Sequence, residues 1–190
     1  MIEKGKKVAY IIWLLFIIGL VFAYLKNPTI FTPAYIVEFI QKFNGEMMLM
    51  YIFLTLIRGF FLIPSTPFVI CGALLFPDNL FLVLGISMVG VMFSATTLYY
   101  FSDILGFSKY FKTKKSKNIA KWEARLKSPK SIFFVTGWSL FPFVPTDLIC
   151  YAAGIVKMPF KNMFIGVFLG ELILDIFYVY FGANLVQVLL

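Results

Sequence analysis

Two long apolar stretches of this chain are each broken by prolines three residues apart. Pro64-Ser65-Thr66-Pro67 interrupts residues 47–76, and Pro142-Phe143-Val144-Pro145 interrupts residues 131–156. Proline lacks a backbone N–H and its ring clashes with the preceding turn, so each pair stops a helix. The pieces left over are short. In the first stretch they are 47–63 and 68–76. A helix over 68–76 is about 14 Å long, half of a hydrocarbon core of about 30 Å. Such a piece does not cross a bilayer. The reading that fits is a re-entrant hairpin that dips in, turns at the prolines and leaves on the side it came from. Non-helical backbone at that depth must be enclosed by protein or line a wet cavity, because lipid offers it no hydrogen-bond partners.

Composition supports a bilayer as the solvent. The chain is 61% hydrophobic and 14% charged over 190 residues, against about 45–50% and about 25% in soluble domains. A water-soluble fold of this size could not hide so much apolar surface. The absence of histidine removes His-based triads, zincin motifs and His ligation of haem. Cys71 and Cys150 lie in separate apolar stretches without metal-ligand spacing and read as small buried hydrophobes. No metal or other cofactor is expected. An intramembrane aspartyl protease would need two opposed aspartates in motifs this chain lacks, so the reading is of a non-enzyme. The net charge of +8 raises nucleic acid as a partner, but the charge is clustered. Lys4, Lys6 and Lys7 precede the first apolar run, and nine basic residues fall between Lys109 and Lys130. Clusters flanking apolar spans are topology signals and contacts for anionic lipid; no nucleic-acid partner is expected.

The other segments read as follows. Val8 to Leu25 is long enough to cross and lacks a small-residue cleavage site, so it reads as a retained helix rather than a signal peptide. Within Thr29–Gly45, Ile36, Phe39, Ile40 and Phe43 recur at helical spacing, which predicts an amphipathic surface helix with Thr32-Pro33 as its start signal. Leu80–Phe101 is a clean span. The basic loop over 102–130 carries Ile119, Trp122 and Leu126 in a short surface helix, and 160–190 is one long helix. The expected fold is all-α and polytopic. It comprises an N-terminal transmembrane helix and amphipathic helix over 1–45, and a membrane domain over 46–190. That domain divides into repeat 1 (46–101), the loop (102–130) and repeat 2 (131–190).

The repeat rests on order. Each half gives an apolar arm, Pro-x-x-Pro, a glycine on the returning arm (Gly72 or Gly154) and then a glycine-bearing span, with Gly85 and Gly90 in one and Gly166 and Gly170 in the other. With the N-terminus inside, fourteen Lys and Arg fall inside, Lys26 and Lys42 outside, and Arg58 within the membrane. That bias follows the positive-inside rule. It puts the two hairpins on opposite faces, an inverted repeat of the kind secondary transporters use. The expected location is the cell inner membrane, with the N-terminus and basic loop cytoplasmic.

Few polar residues lie at depth. Arg58 is costly there, about 2.5–3.5 kcal/mol at a helix centre by insertion scales, and reads as a ligand for a lipid phosphate or as a charge that snorkels or pairs with a carboxylate. Asp147, at the second break, reads as its partner, as a protonatable group, or with Thr146 as a helix cap. Glu171 and Asp175 are one helical turn apart on one face; two carboxylates in hydrocarbon do not both ionise without partners, so they are candidates for proton coupling or for pairing with Arg58 or the basic loop. Glu46 reads as a third proton-coupling candidate or a solvated border residue. Pro64, Pro67, Pro142 and Pro145 free backbone groups that can line a substrate path. Gly72, Gly154, Gly166 and Gly170 permit close backbone contact, and Gly166-x-x-x-Gly170 reads equally as a homo-oligomer face.

The second break, from Leu140 to Gly154, resembles the signature of the SNARE-associated Golgi protein family of the DedA superfamily, the VTT-domain membrane proteins. The first, Ile63 to Phe76, resembles that family's other segment. The likeness runs from about Met47 to Gly182. Two departures stand out: Ser139 falls about where the family carries an arginine before the second break, and Pro77 replaces a glycine after Phe76. The resemblance implies facing re-entrant hairpins and the movement of phospholipids or lipid-linked phosphates such as polyprenyl phosphate between leaflets, with proton coupling in bacterial members. The expected function is therefore a flippase- or scramblase-type lipid transporter; the alternative is a non-transporting membrane scaffold or assembly factor.

Overall fold

The structure, a computed structural model, describes residues 15–61, 63–104, 123–142 and 144–189. All of the regular elements among them are helical. The first fourteen residues and most of the basic loop, including Ile119 and Trp122, lie outside the described residues.

The chain opens with α1 (Leu15–Lys26). A 3-10 turn over Pro28–Phe31 leads into α2 (Pro33–Gln41). The Thr32-Pro33 signal operates as expected: the Thr32 hydroxyl accepts a hydrogen bond from the Tyr35 backbone N–H at 3.4 Å and Pro33 fills the first turn. The face of α2 differs from the simple stripe. Ile36 and Ile40 are buried, whereas Phe39 and Phe43 stay exposed and pack their rings on each other. The helix docks its two isoleucines against a later helix, α4, rather than only resting on lipid headgroups.

The first broken unit is α3 (Met47–Ile57), a 3-10 turn over Arg58–Phe61, and α4 (Thr66–Leu75). It is followed by the long α5 (Leu80–Ile104). The second is α6 (Ser131–Ser139) and α7 (Thr146–Ile155), followed by α8 (Phe160–Leu189). Between α5 and α6, residues 123–127 are helical and Leu126 is buried in the core. The end of α7 is set by backbone bonds. Met158 N–H donates to the Ala153 carbonyl at 2.9 Å and Lys157 N–H to the Gly154 carbonyl at 3.2 Å. This is a Schellman stop, with Lys157 at φ 58° where glycine usually sits.

Two helices, Pro77–Ser102 and Phe160–Gly182, are long and apolar enough to cross a membrane. Their outward faces carry exposed Phe81, Phe93, Phe168 and Ile173. In water such a surface would be an association site; against lipid it is the ordinary exterior. The chain is an integral membrane protein with at least these two spans.

The packing is cross-paired. Helix α5 packs against α3 of the first unit and α7 of the second, while α8 packs against α6 of the second and α4 of the first. Contacts follow an order along each span. Near the start of α5, Val83 lies by Gly72 of α4, and near its end Tyr99 and Ser102 lie by Gly154 of α7. The start of each broken unit touches the segment that follows its second helix: the Tyr51 ring of α3 meets Phe76 beyond α4 (centroids 5.8 Å apart), and Asn162 Nδ2, beyond α7, donates to Ser131 Oγ at the start of α6 at 3.1 Å. Two apolar cores result. One gathers Tyr51, Phe68, Cys71, Val83 and Val179, and the other Leu98, Val135, Cys150, Met163 and Val167. Both cysteines are free and buried in these cores.

Close glycine contacts make the crossings possible. A Cβ at Gly170 would lie 2.6 Å from Ser139 Cβ and 2.7 Å from the Thr136 carbonyl, and one at Gly166 would lie 2.8 Å from Val135 Cβ. Both glycines are therefore used inside the chain, between α8 and α6. Gly137 is the opposite case, since a Cβ there meets nothing within 4 Å. Gly170→Leu should lower stability by about 1–3 kcal/mol through overpacking, whereas Gly137→Ala should be neutral or raise it by up to about 1 kcal/mol through helix propensity. Thermal unfolding of the two variants in detergent measures the contrast.

Candidate functional site

The two proline breaks meet. Between them lies a polar cleft of about 110 Å³, lined by Arg58, Ser65, Thr66, Pro142, Asp147 and Glu171 among others. One water needs about 10–15 Å³ of such space, so the cleft has room for several waters or a compact head group. Val91, midway along α5, forms part of its wall.

Arg58 is positioned by the early end of α3. The α-helix stops at Ile57, seven residues before Pro64, and the 3-10 turn over Arg58–Phe61 follows, with the guanidinium at its start. The side chain is 3% exposed. Its Nη1 donates to the Ile63 carbonyl at 3.0 Å, a backbone acceptor freed by the break. The same nitrogen is 3.8 Å from Asp147 Oδ2, which makes an ion pair longer than a hydrogen bond. A guanidinium has five N–H donors in a planar fork, so the group is anchored at one edge.

The carboxyl groups come from two elements. Asp147 stands in the first turn of α7, at the helix start, where backbone N–H groups favour negative charge. Glu171 and Asp175 project from α8 and are each 1% exposed. The Thr146 hydroxyl donates to Glu171 Oε1. Neither Thr146 nor Asp147 caps α7 with its side chain, because the cap position is Pro145. The cap reading of these residues therefore gives way to a contact between the second break and α8. Glu171 Oε2 and Asp175 Oδ2 have no hydrogen-bond partner among the described residues. Arg58 acts electrostatically on all three carboxyl groups. One buried cation thus faces three buried carboxyl groups, and unpaired charge at such depth is expensive.

The remaining candidates separate by position. Pro64, Pro142 and Pro145 line the cleft, while Pro67 lines an apolar groove beside it. Asp175 is buried one turn beyond Glu171 and is outside the cleft lining. Glu46 is exposed at the start of α3 and does not reach the cleft. The four glycines sit at helix crossings. Ser139, at the family's arginine position, is fully buried beneath Gly170, with its Oγ unpaired among the described residues. There is no room in that crossing for a longer side chain, so Arg58 is the arginine at the breaks. Sequence reasoning missed Ser65 and Thr66 as lining groups, and the buried hydrogen bond of Tyr51 Oη with Ser87 Oγ at 3.1 Å. The two hydroxyl residues between Pro64 and Pro67 were themselves the available signal for the first pair; nothing local marks the second.

An all-helical integral membrane protein with a charged cleft between two broken helices is the class these features define. Comparison with protein families matches residues 63–184 to the VTT domain. The match covers more than half of the chain, and the protein belongs to the VTT-domain family of the DedA superfamily. That family is linked to membrane lipid handling, and its members are not enzymes. Comparisons with curated proteins and with solved structures give no match.

Thr146→Val removes the hydroxyl given to Glu171 and leaves a second carboxyl oxygen without a donor. It should cost about 1–3 kcal/mol, the penalty of an unsatisfied buried acceptor. Unfolding in detergent, beside the hydroxyl-retaining Thr146→Ser as the tolerated control, checks this.

Proposed function

We propose that this protein moves a phospholipid or lipid-linked phosphate, such as polyprenyl phosphate, between leaflets, with protons as the coupled ion. The observation that carries the reading is the buried Arg58 at the meeting point of two proline breaks, anchored by its hydrogen bond to the Ile63 carbonyl and lining a cavity of head-group size. An arginine fork suits phosphate oxygens, and the tails need never leave hydrocarbon.

In this reading the two broken units are re-entrant hairpins on opposite faces, set in a domain over 46–190 behind an N-terminal part over 1–45. The order of contacts along α5 supports it: the base of the first hairpin lies near Val83, the tips near Val91, and the base of the second near Ser102. From Val83 to Ser102 a helix rises about 28 Å, close to the hydrocarbon thickness. The proposed location is the cell inner membrane, and the charge bias supports an N-terminus and basic loop in the cytoplasm.

Charge balance supports the coupling. A phosphate beside Arg58 adds negative charge where three carboxyl groups already stand. Binding is tolerable when carboxyl groups carry protons, and loss of those protons then expels the anion. Glu171, linked through Thr146 to the second hairpin tip, is positioned to pass its protonation state to the hairpins, with Asp175 as its reservoir.

The test is translocation of labelled lipid in proteoliposomes. Native protein should move lipid, and Arg58→Gln should slow it by about a hundredfold, the order expected when a charge-assisted contact of about 3 kcal/mol is lost. Loss of all translocation across phospholipids and polyprenyl phosphates in the native protein would end the reading in favour of a scaffold. Glu171→Gln with Asp175→Asn should abolish dependence on a pH gradient; a scaffold would be indifferent to both substitutions.

A further inference from the structure

We propose that two apolar grooves, one beside each proline break, hold hydrocarbon chains of the lipid whose head group occupies the cleft. The inference rests on the lipid-carrier reading and adds where the tails run.

The first groove, about 680 Å³, lies between Ile17, Leu20 and Val21 of α1 and the wall formed by Phe61, Ile63 and Pro64. The second, about 460 Å³, lies along α6 and is lined by Phe133, Gly137, Trp138, Phe141 and Val144 among others. Both fall in the size range of small-molecule sites, about 300–1,000 Å³. Each shares a wall with the polar cleft. Pro64 lines the cleft and the first groove, and Phe141 and Val144 line the cleft and the second. A molecule with a charged head in the cleft therefore has an apolar path leading away on either side.

Each groove has a structural cause. Two ring contacts tie α1 to its neighbours, Phe16 with Phe61 (centroids 4.3 Å apart) and Tyr24 with Phe31 (6.0 Å). They are two helical turns apart, about 12 Å, and hold α1 at both ends of a gap that Ile17, Leu20 and Val21 face. The second groove exists because position 137 has no side chain: a Cβ there meets nothing within 4 Å. Phe133, one turn earlier, is 78% exposed. Walls of this kind offer a polar occupant few partners, so its groups would be left unsatisfied. The bilayer supplies hydrocarbon chains as solvent. The walls that each groove shares with the cleft favour the chains of the bound lipid over those of the annulus. With the hairpins on opposite faces, the grooves serve opposite leaflets, one for departure and one for arrival.

The test uses full-length protein in vesicles containing phosphatidylglycerol or polyprenyl phosphate with a photoactivatable diazirine on the hydrocarbon chain. Cross-links are mapped by mass spectrometry and translocation is followed in parallel. Cross-links should concentrate on Leu20 and Val21 and on Phe133 and its neighbours, and fall about tenfold in Arg58→Gln, because the head group is no longer anchored. Gly137→Trp starts from a position where a Cβ meets nothing within 4 Å, and thermal unfolding in detergent checks that the fold is kept; it should remove the second set and slow translocation about tenfold, and Leu20→Trp should do the same to the first. Cross-links spread evenly over outward residues such as Phe81 and Phe93, unchanged by Arg58→Gln, would overturn the proposal. So would undiminished translocation in both tryptophan variants, which would leave the carrier reading standing. If the native protein translocates nothing yet shows Arg58-dependent cross-links in the grooves, the carrier reading falls and the grooves stand.

Discussion

A guanidinium buried inside a membrane protein needs partners, and lipid supplies none. In this protein Arg58 finds its nearest partners at breaks in helical structure. The Ile63 carbonyl is available to it because the first break leaves that oxygen without a helical donor, and Asp147 is within reach because the second break starts a helix there. The cost of one buried charge thus draws two interrupted helices to the same depth. The rest of the membrane domain has to accommodate that meeting. The two long spans cross beside it, Glu171 joins it through Thr146, and the apolar cores close above and below.

Glycine governs how near the other elements come. At Gly154 the second unit lies directly on Ser102 and the Tyr99 carbonyl, and at Gly170 the last span lies on α6. These contacts fix where the breaks sit along each span, and so they fix the site. In lipid, where apolar burial does not drive helices together, close packing of this sort is the main source of association. The buried hydroxyls of Thr55, Ser94 and Ser139 lie at such crossings.

Much of this was legible in the sequence, because its causes are local. Proline stops a helix that runs into it and is tolerated in a first turn, so both breaks could be located in the sequence, though not their exact edges. Span length follows from unbroken apolar runs, and the i, i+4 spacing of Glu171 and Asp175 fixed their common face. What escaped depended on distant neighbours. Nothing near Ile57 says that the helix ends there instead of at Pro64; the demand comes from Asp147, far along the chain. Thr146 reads locally as a cap, and only the arrival of α8 gives its hydroxyl a better acceptor. Phe39 and Phe43 share the helical spacing of Ile36 and Ile40 yet face outward, because α4 offers a berth to two side chains and lipid is an equally good solvent for the others. In a membrane, apolar periodicity marks what avoids water without saying what meets protein. The grooves, made by the stand-off of α1 and by the missing side chain at position 137, leave no local trace.

The central claim is that the two hairpins enter from opposite faces and meet at depth through Arg58. It is tested most directly by the sidedness of their bases. Single cysteines at Glu46, at the base of the first hairpin, and at Lys157, at the base of the second, would be placed in a chain with Cys71 and Cys150 replaced by alanine, and labelled in sealed vesicles with a reagent that does not cross the bilayer. The account predicts that the position 157 cysteine is labelled only from the cytoplasmic side and the position 46 cysteine only from the other. Labelling of both from one side would contradict it.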